Sequence, residues 1–259
     1  MIALKLWYDG SGFFGFQRQP SLRTVESELF SALETIGVNP KTYRAAGRTD
    51  RGVSALGMVV RFDVQGDFRI GELNAALPED VKGWAFTRAP FKFKPRYPKE
   101  RIYRYVLPRL SRKKEVEQAC GLLKGEHSFH NFSKFDKSKE RDPIRKITGI
   151  SLIRRDNYDV IELRGESFLW QMVRRIVTAL TLLDNGRLSL QEFEDLLNPD
   201  LVTHLEPMPA EGLILMDIIY EDLEFEEDKK WKGYIDSYLK RKTNSYFASQ
   251  EGTHFLLKN

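Results

Sequence analysis

Ile2-Ala3-Leu4-Lys5-Leu6-Trp7-Tyr8, closed by Asp9-Gly10, reads as a strand, and the order of the segments after it decides the fold. Residues 25–36 carry the spacing of an amphipathic helix, with Thr24 as its N-cap and Glu26 and Glu28 in the first turn, where carboxylates meet the positive end of the helix dipole. Residues 42–46 read as a second strand. After a polar turn, Met58, Val60 and Phe62 alternate with Val59, Arg61 and Asp63, which is the two-residue period of a third. Residues 70–77 follow as a short helix and 81–87 as a fourth strand. Strand, helix, strand, strand, helix, strand is the ferredoxin-like order, a sheet with helices on one face that RNA-recognition domains also use.

Pro90, Pro95 and Pro98 then punctuate an extended connector, which places a boundary between residues 1–98 and 99–259. Beyond it, residues 101–107 read as a strand, 113–123 as a helix, 144–153 and 159–164 as a strand pair, 168–183 as a long helix and 213–220 as a late strand. Both halves mix helix and strand, so the expected class is α+β. A chain of 259 residues exceeds a typical domain of about 150, which suits one large domain or two intimately packed halves.

Composition narrows the function. Hydrophobic residues at 41% and charged residues at 30% describe a folded chain and not a disordered one. The longest apolar run, near residues 176–183, is far short of the roughly 18 residues of a membrane span, and the first residues lack the pattern of a secretory signal. A cytoplasmic protein without a membrane partner is expected. The single cysteine, Cys120, and four histidines leave no basis for a disulfide, a thiolate metal site or a histidine metal site, so no metal or cofactor is expected. Charge is unevenly placed: residues 88–114 hold eleven Lys or Arg against one acid, Glu100, while residues 217–228 hold seven acids and no base. Such polarity points to a polyanionic partner on the basic side.

Four motifs stand out. Gly10-Ser11-Gly12-Phe13-Phe14-Gly15 spells a dinucleotide-binding turn, but Pro20 separates it from the helix that should hold a pyrophosphate, and no acid ends a strand about 20 residues on. It reads instead as a turn whose aromatics pack on the sheet or stack on bases. Gly47-Arg48-Thr49-Asp50-Arg51-Gly52-Val53-Ser54-Ala55 lies between two strands. Asp50 is either a turn former, with Gly52 relieving the backbone, or a catalytic carboxylate kept ionised among guanidinium groups. Arg101-Ile102-Tyr103-Arg104-Tyr105 puts Arg101, Tyr103 and Tyr105 on one face of a strand, a pattern that suits either base stacking or an edge strand with half-buried tyrosines. On the long helix, Leu169, Met172, Val173, Ile176, Leu180 and Leu183 form the core stripe, and Arg174 and Arg175 flank it as solvated arginines. His127 and His130 lack the neighbours of a metal site and read as turn or core polar groups; the glycosylation acceptor Asn131-Phe132-Ser133 has no role without secretion.

Taken together, Tyr8-Asp9-Gly10, Phe14-Gly15-Phe16-Gln17-Arg18-Gln19, Gly47-Arg48-Thr49-Asp50-Arg51-Gly52-Val53 and Tyr103-Arg104-Tyr105 resemble the tRNA pseudouridine synthase A family in order and spacing. Gly125-Glu126-His127-Ser128-Phe129, Phe168-Leu169-Trp170-Gln171-Met172-Val173-Arg174 and Pro209-Ala210-Glu211-Gly212-Leu213 extend the likeness over nearly the whole chain. Ser54 stands where many members have histidine, and Trp170-Gln171 where bacterial members often have two histidines. The resemblance implies the pseudouridine synthase fold, two ferredoxin-like halves with a merged, mostly antiparallel sheet and a central basic cleft, commonly as a homodimer. It implies isomerisation of uridine in the tRNA anticodon stem-loop, typically at positions 38 to 40, without metal or organic cofactor. Asp50 would match the catalytic aspartate and Arg174 its partner. Tyr103 would stack on the flipped uracil and assist catalysis at the ring carbon, Arg48 would help displace the target nucleotide, and Leu213 would line the pocket. Arg101 joins the expected substrate-binding set. A non-catalytic RNA-binding homologue would leave Asp50 without a role, and a metal-dependent nuclease would need several clustered acids where the loop offers one.

Overall fold

The computed structural model describes residues 1–134 and 142–258, apart from the side chains of residues 244 and 246–258. The first half runs β1 (Ile2–Tyr8), α1 (Val25–Thr35), β2 (Tyr43–Ala45), β3 (Ser54–Phe62), α2 (Ile70–Ala76) and β4 (Val81–Arg88). Its strands lie in the order β4-β1-β3-β2 and pair antiparallel. The second half runs β5 (Glu100–Pro108), α3 (Lys113–Leu122), β6 (Gly125–Ser128), β7 (Ile144–Arg154), β8 (Tyr158–Gly165), α4 (Met172–Asp184), α5 (Leu190–Asp195) and β9 (Leu213–Ile219). Its order β9-β5-β8-β7 repeats the plan of the first, with β6 added at the edge. The ferredoxin-like pattern thus occurs twice, and the halves share one ten-stranded sheet.

Local sequence explains the helices. Thr24 Oγ1 accepts from the Ser27 backbone while Ser27 Oγ accepts from the Thr24 backbone, and this capping box starts α1 where the sequence expects it. Val25, Leu29, Ala32 and Leu33 then form the buried stripe of α1 against Ile2, Leu4, Leu6 and Tyr8 of β1. Each Val, Leu or Ile side chain among them taken out of water contributes roughly 1.5–3 kcal/mol.

The merger is built on β3. One edge of β3 pairs with β1; the other is divided, β2 taking residues 60–62 and β9 taking Ser54 and Ala55. The β3–β9 contact is parallel, and the other named strand pairs are antiparallel.

Several elements depart from the sequence reading. The chain crosses the expected 98/99 division: after β9, β10 (Glu226–Glu227) pairs with β4, and α6 (Lys229–Lys258) lays Ile235 on Trp7, Trp84 and Ala85 of the first half. All seven residues of β1 are buried because helices cover both of its faces. The long helix starts at Met172 and not at 168, since Gln171 takes a left-handed backbone (φ 62°). Leu169 continues the apolar period across that break, and periodicity cannot register a change of φ. Arg175, expected in solvent, is buried, donating to the Leu205 carbonyl and, at 3.2 Å, to Gln171 Oε1. β6, α5 and α6 have no counterpart in the sequence reading; β6 and α5 are only four and six residues long.

Candidate active site

β3 begins at Ser54, so the polar turn narrows to residues 47–53 and lies where β3 meets β9, at the seam of the two halves. Asp50 is held from the second half. Arg174 Nη1 donates to Asp50 Oδ2 at 3.1 Å, and the indole Nε1 of Trp170 donates to Oδ1 at 3.1 Å. Arg174 also donates through Nε to the Met208 carbonyl at 2.5 Å, so one guanidinium ties α4, the segment before β9 and the carboxylate together. A third of the Asp50 side chain stays exposed while Arg174 is largely covered, so the carboxylate keeps an edge open to solvent.

The first half builds the loop. Thr49 is buried, and its Oγ1 shares a 2.7 Å hydrogen bond with the Tyr8 hydroxyl. The Val53 N–H closes a turn on the Asp50 carbonyl at 3.2 Å, and Gly52 supplies the left-handed φ of 84° that the turn needs. The loop rests on the Gly10 to Gly15 turn. A Cβ on Gly10 would lie 2.2 Å from the Val53 carbonyl oxygen, and the Phe16 N–H donates to the Thr49 carbonyl at 3.1 Å. Gly10 and Gly15 serve close backbone packing against the Asp50 loop, whereas Gly12 faces the side chains of Arg23 and Asp80. Phe13 and Phe16 are buried, whereas Phe14 is exposed with the Arg51 guanidinium 4.4 Å from its ring centroid.

The close approach at Gly10 has a measurable consequence. Gly10→Ala is expected to push the Asp50 loop aside, costing about 1–3 kcal/mol through overpacking and cutting turnover by on the order of 10²-fold through misplacement of the carboxylate. Gly121→Ala, in α3 with no atom within 4 Å of the added Cβ, is the control. A thermal melt and a rate measurement check both, and an unshifted melting temperature for Gly10→Ala would contradict close packing at this position.

The remaining expected site residues divide into two groups. Tyr103 packs against both large apolar clusters and meets Phe168 edge-on at 5.2 Å, which puts it at the seam. Burial raises the pKa of its hydroxyl, with the Arg101 charge opposing and the Asp50 charge adding, so the phenol stays protonated. Leu213 is buried at the start of β9, opposite Tyr105, one residue before the Ile214–Ser54 pairing. Arg48 is exposed and pairs with no acid among the described residues. Arg101 departs from the expectation of a substrate contact: it is 8% exposed, and its guanidinium donates to the carbonyls of Ala46, Arg96 and Glu166. Strand alternation does place it on the face of Tyr103, but its guanidinium is spent on those three carbonyls.

Trp170 is legible in the sequence only as a departure from a pattern. Its ring is 44% exposed and carries the Lys134 ammonium 4.4 Å from its centroid. Ser54, the other departure, accepts from the Gly10 N–H through Oγ at 3.0 Å. His127 bonds the Lys124 carbonyl, and His130 bonds the Leu201 carbonyl and Ser128, as the polar reading of both expects. Among the described residues, no group of three or more His, Cys, Asp or Glu could hold a metal ion, and no helix is long and apolar enough to cross a membrane.

Comparison with known proteins adds a family. A family model described as tRNA pseudouridine synthase matches residues 119–221. A protein of Methanothermobacter thermautotrophicus named tRNA pseudouridine synthase A is 43% identical over 85% of this chain and 81% of its own. Proteins of the same name from Methanosphaera stadtmanae and Pyrococcus furiosus are 37% and 42% identical, over 93% and 88% of this chain and 91% and 86% of theirs. A solved chain from a Cbf5-Nop10-Gar1 complex aligns over 84% of this chain and 50% of its own with a TM-score of 0.44 and 12% identity, too slight a likeness to argue from.

Proposed function

The chain belongs to the tRNA pseudouridine synthase A family, and from that premise we propose that it isomerises uridine to pseudouridine in the tRNA anticodon stem-loop, at positions 38 to 40, with Asp50 as the catalytic carboxylate. The observation that carries this reading is the carboxylate itself: it sits at the seam, supplied by the first half and gripped by Arg174 and Trp170 of the second, with one edge open. An RNA-binding module has no use for such a group. A metal-dependent nuclease would need more acids around it than these residues provide.

The reaction breaks the bond between the sugar and the ring nitrogen, turns the uracil, and joins the sugar to a ring carbon; that carbon loses a proton and the nitrogen gains one, so substrate and product are isomers. Positive character develops at the sugar as the first bond breaks. A carboxylate beside it stabilises or captures that centre. Arg174 aims the Asp50 carboxylate, and the Trp170 N–H fixes its second oxygen. The target base has to leave its stack, because inside a helix neither its glycosidic bond nor room to rotate is available. Arg48, exposed within the loop, takes the vacated place or the displaced backbone, Tyr103 stacks on the uracil, and Leu213 closes the pocket. Arg101 acts as a positioning residue through the Ala46 carbonyl, at the base of the Asp50 loop.

The test is incubation with uridine-labelled tRNA followed by nucleoside analysis. Formation of pseudouridine at positions 38 to 40 is expected; RNA retention without product would support a non-catalytic binder, and strand cleavage a nuclease. Turnover is also expected to survive excess chelator on an anticodon stem-loop that folds in monovalent salt, because none of these steps needs a cation. An absolute metal requirement with that substrate would overturn the cofactor-free mechanism.

A further inference from the structure

Residues 89–99 leave β4 and enter β5 through a loop whose backbone is tied down along its length. Arg61 donates through Nη1 to the Phe91 carbonyl at 2.9 Å and the Phe93 carbonyl at 2.8 Å. The Tyr220 hydroxyl donates to the Pro95 carbonyl at 2.6 Å, and Arg101 Nη2 to the Arg96 carbonyl at 3.0 Å. Two turns close inside the loop, from the Phe93 N–H to the Pro90 carbonyl and from the Tyr97 N–H to the Lys94 carbonyl. Its ends bond Met1 and Ile219. Phe93 faces inward, edge-on to Tyr220 at 4.9 Å.

What this scaffold presents is unusual for a turn. Phe91 is 75% exposed and Tyr97 68%, with Lys92, Lys94 and Arg96 all exposed around them. None of the three cations pairs with an acid among the described residues, and the Lys94 ammonium lies 5.9 Å from the Tyr97 ring centroid. Most other cations of residues 88–114 are committed: Arg88, Lys99, Arg104, Arg112 and Lys113 pair with acids, and Arg101 and Arg109 donate to carbonyls. The basic stretch therefore reduces to this loop and Lys114 on α3.

We propose that the 89–99 loop is a preorganised tRNA contact separate from the Asp50 pocket, in which Lys92, Lys94 and Arg96 take backbone phosphates while Phe91 and Tyr97 stack on unpaired bases; this rests on tRNA being the substrate. Alternating aromatic and cationic side chains match the alternation of bases and phosphates along an unpaired strand. Holding the backbone rigid beforehand removes the ordering cost that a mobile loop would meet on binding. The loop is also mechanically next to the site, because Arg101 bonds the Arg96 carbonyl on one side and the Ala46 carbonyl, just before the Asp50 loop, on the other.

The test is equilibrium binding of full-length tRNA at several salt concentrations, in an Asp50→Asn background so that no turnover accompanies the titration. Replacing Lys92, Lys94 and Arg96 together by Gln is expected to lower the slope of log affinity against log salt by about two to three, at about 0.7–0.9 for each phosphate that is no longer neutralised. Phe91→Ala with Tyr97→Ala is expected to weaken binding by on the order of tenfold or more with the slope unchanged, since stacking releases no counterions. Gln at Lys229, Lys230 and Lys232 of α6 is the control, with a slope equal to the parent. Equal slopes and affinities for the loop variants and the parent would overturn the proposal and assign the face to an acidic protein partner. Pseudouridine formation by the unmodified protein is scored separately, so failure of the loop and failure of the enzymatic reading give different results.

Discussion

Asp50→Asn is expected to abolish pseudouridine formation, by at least about 10³-fold, while tRNA affinity is held or slightly raised. The amide keeps the shape of the carboxylate but offers one acceptor oxygen to two donors, Arg174 Nη1 and Trp170 Nε1. One of them loses its partner, and the charge proposed to stabilise the sugar is gone. With the acid removed, the Arg174 charge is no longer neutralised, so phosphates near the seam meet a more positive surface. Single-turnover assay and tRNA titration on the same preparation check both halves of the statement. Product at near the parental rate would remove Asp50 from the mechanism.

Arg174→Ala is expected to act on turnover and stability together. It deletes the donor at 3.1 Å from Asp50 Oδ2 and leaves the Met208 carbonyl without its guanidinium partner. A half-buried acceptor left unpaired costs up to about 1 kcal/mol, and loss of a charged donor from the proposed catalytic carboxylate costs on the order of 10²–10³-fold in rate. Arg174→Lys separates the two effects. A single ammonium cannot reproduce the fork that reaches carboxylate and carbonyl at once, so activity is expected to fall with less loss of stability. Melting temperature and turnover of both variants are the measurement, and full activity in Arg174→Lys would show that charge alone suffices.

In the amino-acid sequence Asp50 stands in a loop between two strands and Tyr103 on an aromatic strand face, each open to a structural or a functional reading, and Arg174 reads as a solvated arginine beside the apolar stripe of α4; the roles proposed for all three come from the family resemblance. The order of strands and helices in each half follows from period-two and period-3.6 patterns, and Thr24 signals the start of α1. These are local signals: each depends on residues within one or two turns of one another, and the backbone answers to them wherever the segment ends up.

Long-range outcomes are another matter. Nothing in residues 10–15 says that Gly10 must lack a side chain because the Val53 carbonyl lies against it, 43 residues away in the chain. Nothing within residues 101–105 separates Arg101, buried on three carbonyls from distant segments, from an arginine facing RNA. Residues 88–114 announce a polyanion partner, yet which cations stay free depends on acids such as Glu162 and Glu221 brought to them by strand pairing and chain reversal. Local patterning is enough to specify the strand and helix order of each half. It takes the packed chain to divide the outer edge of β3 between β2 and β9, which brings Arg174 and Trp170 to Asp50 across 120 residues and more. The reason is physical: propensity and periodicity are set by neighbours along the chain, whereas burial, charge pairing and close backbone approach are set by neighbours in space.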